Sequence, residues 1–249
     1  MLAILSLRLA AGLMAALLLL SPAQVNPRFY RAQFWIVLGL TVVAAVFAGD
    51  VAGLAFWTAL GSGVALAFAG SVVWALEGEP GGRVLIVLTA CALSVGLGVA
   101  EWNRPDSGEF GMRLVGDATS AALLGTALTA MLLGHFYLIA PAMSLAPLMR
   151  LLAALAAAIV LRMALAAVGL WSWTADHSLT NLTDGTVLWL PLRWGLGFVG
   201  PLVLAWMAWR TSRIRSTQSA TGILYVVVIL CFLGEVTGLL LWSSTGVLI

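Results

Sequence analysis

Five ionisable residues lie inside apolar runs of this sequence, where a charge is energetically costly. They are Arg8, Asp117, Arg162, Arg193 and Glu235. An arginine at the middle of a bilayer costs at least about 2.5–3.5 kcal/mol on insertion scales. Charged residues in such positions usually face the interior of a helix bundle, pair with one another and mark ligand or ion pathways. These five residues are therefore the first candidates for a functional site.

The charges of these five residues do not balance, because three arginines stand against two carboxylates. Arginine stays protonated in proteins. The surplus positive charge therefore favours an anionic or strongly hydrogen-bond-accepting ligand, such as a quinone carbonyl, a haem propionate or an anionic substrate. The competing interpretation is a structural ion-pair layer that joins Arg162 or Arg193 to Glu235 or Asp117. The sequence leaves both interpretations open.

A second candidate site lies in the segment GHFYLIAP, which carries His135 and Tyr137. These two side chains suit an inner quinone or proton-transfer site, and a hydrogen-bonded interior histidine is the competing interpretation. A bis-histidine haem site is disfavoured, because the other histidine, His177, does not lie in an apolar run. The cofactor therefore stays unknown, with quinone and haem as the two possibilities.

Other kinds of chemistry find little support in the sequence. The chain has no lysine, which excludes a retinal Schiff base, pyridoxal chemistry and a P-loop lysine. It has no HExxH motif and no CxxC motif, so we predict no metal site. Cys91 and Cys231 lie in apolar runs, and we expect both to be buried and inert. Nothing indicates nucleic-acid binding, and whether the protein is an enzyme stays uncertain.

The elements that hold these residues follow from composition. Only 9% of the 249 residues are charged and 62% are hydrophobic, whereas about 25% of a soluble domain is charged. About 20 apolar residues cross a bilayer core. Runs of this kind lie near residues 2–21, 34–49, 52–76, 83–100, 113–140, 148–171, 186–209 and 218–242. We predict an all-α integral membrane protein, a polytopic bundle of about eight transmembrane helices forming one domain over residues 1–249, with the lipid bilayer as its main partner.

Arginines in the loops predict the orientation of the bundle. One alternating set of loops carries seven arginines, including Arg210, Arg213 and Arg215, whereas the other set carries only Arg104 and Arg113. Because arginine-rich loops stay in the cytoplasm, an even number of helices puts both termini outside. The composition is typical of a bacterial cytoplasmic (inner) membrane protein. Within this topology the five buried charges lie roughly 6–13 Å from the outer ends of their spans.

Three further features bear on how the bundle is built. Pro191 and Pro201 both interrupt the seventh run, which predicts a kinked helix. The stretch from 101 to 113 is acidic, and we expect it to be a solvated loop. Glycines within the runs predict close helix packing; they are Gly61, Gly63, Gly70, Gly195, Gly197, Gly234 and Gly238.

Three functions remain open. The first is a membrane subunit that interacts with quinone or haem; eight helices in about 250 residues resembles the quinone-binding anchors of polysulfide-reductase type in size alone. The second is a transporter of a small anion or a proton-coupled solute, although no internal repeat supports it. The third is a structural or assembly subunit that binds other membrane subunits.

Overall fold

The computed structural model describes residues 2–76, 81–104, 110–140, 143–176 and 184–246. All regular structure within these ranges is helical. The α-helices are α1 (Leu2–Leu17), α2 (Pro27–Val46), α3 (Leu54–Val73), α4 (Gly82–Trp102), α5 (Phe110–Ile139), α6 (Ala146–Asp176), α7 (Asp184–Trp194), α8 (Gly200–Arg213) and α9 (Thr217–Thr245). A five-residue π-turn, Gly195–Val199, joins α7 to α8.

The predicted membrane class is confirmed. Seven helical segments in the described part of the chain are long and apolar enough to cross a bilayer. Their outward surface is rich in large apolar side chains, such as Val46, Leu54 and Ile139, which are more than two-thirds exposed. In a membrane such a surface contacts lipid. The chain is an all-α multi-pass membrane protein.

The first helix differs from the other spans in length and in position. α1 has 16 residues and is therefore about 24 Å long, which is shorter than a hydrocarbon core of about 30 Å. It is buried on nearly all sides, packed between α2, α4 and α5. The first apolar run therefore forms an interior helix of the bundle.

The start of α2 differs from the predicted boundary. The helix begins at Pro27, seven residues before the predicted start of the second run. Asn26 caps it by accepting a hydrogen bond from the backbone N–H of Arg28, and proline suits the first helical turn because it has no N–H to satisfy. Arg28 and Arg31 therefore lie in the first turns of α2 and not in a loop.

The closest helix crossing lies between α1 and α5, at Gly12 and Gly125. A methyl group on Gly12 would overlap the backbone carbonyl of Ala121, and one on Gly125 would overlap the backbone of Gly12. The two backbones are thus in direct contact, which only glycine permits. The contact between Gly12 and Ala121 lies one helical turn from Arg8 on α1 and one turn from Asp117 on α5.

The two ends of the bundle have different chemical character. The start of α1 and the end of α9 lie at one end, because Arg8 and Trp242 line the same cavity there. We call this the cavity end. The opposite end holds the turn between α8 and α9, with Arg210, Arg213 and Arg215, and we call it the turn end.

Candidate functional site: a buried arginine–carboxylate layer

The structure brings Arg162, Arg193 and Glu235 into one buried ion cluster, which we call the triad. Glu235 is 1% exposed and accepts hydrogen bonds from Nε and Nη2 of Arg162 at 3.2 and 3.1 Å. Its Oε1 also accepts from Nη1 of Arg193 at 3.0 Å. One carboxylate is therefore shared by two guanidinium groups, and the triad carries one net positive charge.

Arg193 reaches Glu235 because small residues leave space for it. Its guanidinium packs over the ring of Phe198 at 4.4 Å and donates a hydrogen bond to the backbone carbonyl of Gly234. A methyl group on Gly238 would lie 3.0 Å from Cζ of Arg193. The guanidinium thus fills a slot between the π-turn and α9, and its position depends on both.

The helix that carries Arg193 changes its hydrogen-bond pattern directly after that residue. The five residues Gly195–Val199 form a π-turn, with Pro191 before it and Pro201 after it. Gly197 in this turn contacts Gly234, and a methyl group on Gly197 would lie 2.8 Å from its Cα. π-turns are frequent at functional sites, and this one is directly coupled to the triad.

A second ion pair joins α1 to α5. Nη2 of Arg8 contacts Oδ1 of Asp117, and both side chains are buried. Nε of Arg8 has no hydrogen-bond partner. In the described part of the chain no hydrogen bond or ion pair joins Arg8 or Asp117 to the triad, although Arg162 donates a hydrogen bond to Thr119 of α5 at 3.3 Å.

A third cluster was missed by the sequence analysis. Glu101 is fully buried and pairs with Nε of Arg113 at 3.1 Å and with Nη1 of Arg104 at 3.2 Å. The expectation of a solvated acidic loop is wrong for this residue, because α4 continues to Trp102 and turns Glu101 toward α5. The other two acidic residues, Asp106 and Glu109, lie outside the described residues. The sequence feature that could have predicted the burial of Glu101 is the apolar stretch VGLGVA directly before it.

Four of these arginines line one cavity at the cavity end. Its walls are formed by Arg8, Arg104, Arg113 and Arg162, with Gly116, Gly238, Leu239 and Trp242 completing it. The volume is about 40 Å³, and a buried water needs about 10–15 Å³. The space therefore suits about three waters or one small oxyanion.

The charges around this cavity are unbalanced. In the described ranges, the layer contains five arginines and three carboxylates, namely Arg8, Arg104, Arg113, Arg162, Arg193, Glu101, Asp117 and Glu235. Among the residues that the structure describes, no carboxylate lines the cavity itself. Asp117, Glu101 and Glu235 each form an ion pair with an arginine of the cavity wall. The charged side chains that line the cavity in the described part of the chain are therefore all positive.

His135 and Tyr137 do not form a common site. Tyr137 is buried and donates a hydrogen bond to the backbone carbonyl of Ser144, whereas His135 lies on the exposed surface of the bundle, 3.5 Å from the hydroxyl of Tyr225. Residues two positions apart point about 200° apart around a helix. The structure thus separates the two side chains that the sequence analysis placed together.

We expect His135→Ala to change the unfolding free energy by less than about 0.5 kcal/mol, because exposed positions without strong partners have small effects. Thermal unfolding in detergent measures this, and Tyr137→Phe, which loses a buried hydrogen bond, is the matched comparison. A loss of several kcal/mol in His135→Ala would contradict the exposed placement of the ring.

The two cysteines differ in environment. Cys231 is buried, as expected, whereas Cys91 is exposed on the surface of α4, so that expectation is wrong for Cys91. α4 packs on α1 and α3, and Cys91 lies on the face turned away from them. Within the described ranges no group of three or more His, Cys, Asp or Glu side chains is placed to hold a metal ion.

Comparison with known proteins gives no family assignment. No family model matches the chain, and neither a curated protein nor a solved structure matches it significantly.

Proposed function

We propose that this multi-pass membrane protein binds a small anion, or the acidic group of a larger solute, in the arginine-lined cavity, and that it transports this anion. The observation that supports the proposal is that four arginines, and no carboxylate of the described residues, line one small space. Guanidinium groups bind carboxylates and oxyanions through paired, charge-assisted hydrogen bonds. In a low-dielectric interior such bonds are stronger than in water.

The size of the cavity favours a small anion over a quinone or a haem. A space of about 40 Å³ accepts a few polar atoms and no aromatic ring. His135, the histidine considered for haem or quinone chemistry, is on the surface of α5 and not in the cavity. The same charges also suit the acidic group of a larger solute that enters from the cavity end.

Arg162 is the residue that links ligand binding to the rest of the bundle. It lines the cavity while its Nε and Nη2 hold Glu235. An anion in the cavity competes with Glu235 for this guanidinium. Because Glu235 also holds Arg193, next to the π-turn, such competition would loosen the contact between α7 and α9. This is the basis for proposing transport and not binding alone.

Arg104→Gln is the variant that tests binding with least damage to the fold. Arg104 is the most exposed of the four arginines, with 26% of its side chain accessible, and Glu101 keeps Arg113 as a partner without it. A hydrogen bond to a charged group contributes about 1.5–3 kcal/mol, so anion affinity should fall by about 10- to 100-fold. Calorimetric titration of the detergent-purified protein with sulfate, phosphate and chloride at constant ionic strength measures the effect.

Arg31→Gln is the matched control, because Arg31 is exposed at the turn end, far from the cavity. It should bind anions as the wild type does. Uptake of the bound anion into liposomes containing the protein tests transport separately. If no anion binds, or if the two variants respond alike, the layer is a structural ion-pair network. If an anion binds without uptake, the binding proposal stands and the transport proposal fails.

A further inference from the structure

A large groove lies between α6 and α8 at the turn end. Its volume is about 590 Å³, and its walls are almost entirely apolar. On the α6 side the wall is formed by Leu152, Ala153 and Ala156, and on the α8 side it includes Trp206 and Trp209. The alanines leave the space that larger residues would fill. The groove is independent of the arginine-lined cavity, which lies at the opposite end of the bundle.

Two arginines stand at the mouth of this groove. Arg210 and Arg213 line both the groove and a smaller pocket that they form with Ile214. Both are exposed, and neither forms an ion pair with any residue that the structure describes. Arg210 lies over the ring of Trp206 at 5.3 Å, which holds its guanidinium near the groove. The mouth is therefore positively charged and its charge is not neutralised within the described chain.

The groove is apolar along its length and positively charged at its mouth, which matches a phospholipid with an apolar acyl chain and an anionic headgroup. Val203 and Trp206 are 50% and 58% exposed, and they lie on a membrane-spanning segment, so the groove opens toward the acyl-chain region. Arg210 and Arg213 follow in the last turn of α8, where the segment reaches the headgroup region. Basic pockets between transmembrane helices, at the level of the headgroups, are suited to anionic lipid headgroups.

We propose that the α6–α8 groove binds one anionic phospholipid, with an acyl chain along the alanine-lined wall and the phosphate between Arg210 and Arg213. Charge complementarity selects an anionic lipid over a zwitterionic one, because the two guanidinium groups have no counter-charge among the described residues and can share the phosphate of a headgroup that carries no positive charge of its own. A partner helix of similar apolar shape would fill the groove but would leave both arginines without a counter-charge.

Native mass spectrometry of the full-length protein tests the proposal. The detergent-solubilised protein is offered an equimolar mixture of phosphatidylglycerol and phosphatidylcholine with identical acyl chains. We expect retention of one phosphatidylglycerol in preference to phosphatidylcholine. An arginine near the headgroups changes affinity for anionic lipid about fivefold, so Arg210→Gln/Arg213→Gln should lower the preference about 25-fold.

One further variant tests the binding of the acyl chain, and another is a control for the loss of two arginines. Ala156→Trp fills the groove and should reduce retention of both lipids. Arg31→Gln/Arg83→Gln removes two exposed arginines from the turn end on helices outside the groove, α2 and α4, and should bind lipid as the wild type does. Equal retention of the two lipids by the wild type overturns the proposal. So does an unchanged preference in Arg210→Gln/Arg213→Gln, or a protein dimer that excludes lipid from the groove.

Discussion

Glu235→Gln is expected to destabilise the protein by about 3–5 kcal/mol, because it leaves Arg162 and Arg193 charged, buried and without a counter-ion. Glutamine preserves the volume and one acceptor oxygen, so the loss reports the charge and not a cavity. In a protein of this size each kcal/mol lowers Tm by about 2–4 °C. Thermal unfolding of the detergent-solubilised protein should therefore show Tm lower by about 6–20 °C.

A triple variant shows whether the triad is needed for the fold or for its ligand. Arg162→Met/Arg193→Met/Glu235→Leu removes all three charges together, and apolar replacement of a complete buried ion cluster is often neutral or stabilising. We expect this variant to fold with Tm near that of the wild type while losing anion binding. A Glu235→Gln protein as stable as the wild type would show that the two arginines are not desolvated. A stable triple variant that still binds anions with full affinity would contradict the role of Arg162.

Gly12→Ala is expected to disrupt the centre of the bundle, although it adds only one methyl group. The added Cβ would overlap the backbone carbonyl of Ala121, and a carbonyl in a helix has no alternative rotamer. α1 must therefore move away from α5, which costs about 1–3 kcal/mol or more. The shift also separates Arg8 from Asp117, one turn away.

Gly39→Ala is the matched control, since Gly39 lies in α2 and a methyl group there would meet no atom within 4 Å. Because alanine favours helix over glycine by about 1 kcal/mol, this variant should be as stable as the wild type or more so. Expression yield and Tm in detergent measure both variants. Equal stability of Gly12→Ala and Gly39→Ala would contradict the backbone contact between α1 and α5.

The sequence by itself determined the class of the protein and located seven of the eight predicted spans; the first run forms a helix too short to be counted among them. Transfer of apolar residues into lipid is a sum over local composition, so runs of about 20 apolar residues suffice to locate a span. The same local argument identified Arg8, Asp117, Arg162, Arg193 and Glu235 as buried charges, because each lies in an apolar run. All five are buried in the structure.

The tertiary structure alone decided which charges meet. The α-helices that carry the ion layer are apolar on almost every side, so their sequences hold no periodic signal for their rotation about the helix axis. That rotation pairs Glu235 with two arginines from different helices and places His135 on the exposed surface of α5. It also brings in Glu101, Arg104 and Arg113, which the sequence placed in a loop.

The glycines at helix contacts were likewise only partly predictable from the sequence. Gly197 and Gly234 were predicted packing positions and do make backbone contact, whereas Gly61 and Gly195 have no neighbour within 4 Å of an added methyl group. The sequence analysis did not predict Gly12 and Gly125 as packing positions, although α1 and α5 make backbone contact there. Small residues are frequent throughout such a sequence, and only the mutual approach of two helices decides which of them must stay small. Composition thus determined what enters the membrane, and helix rotation and distance decided which buried groups meet there.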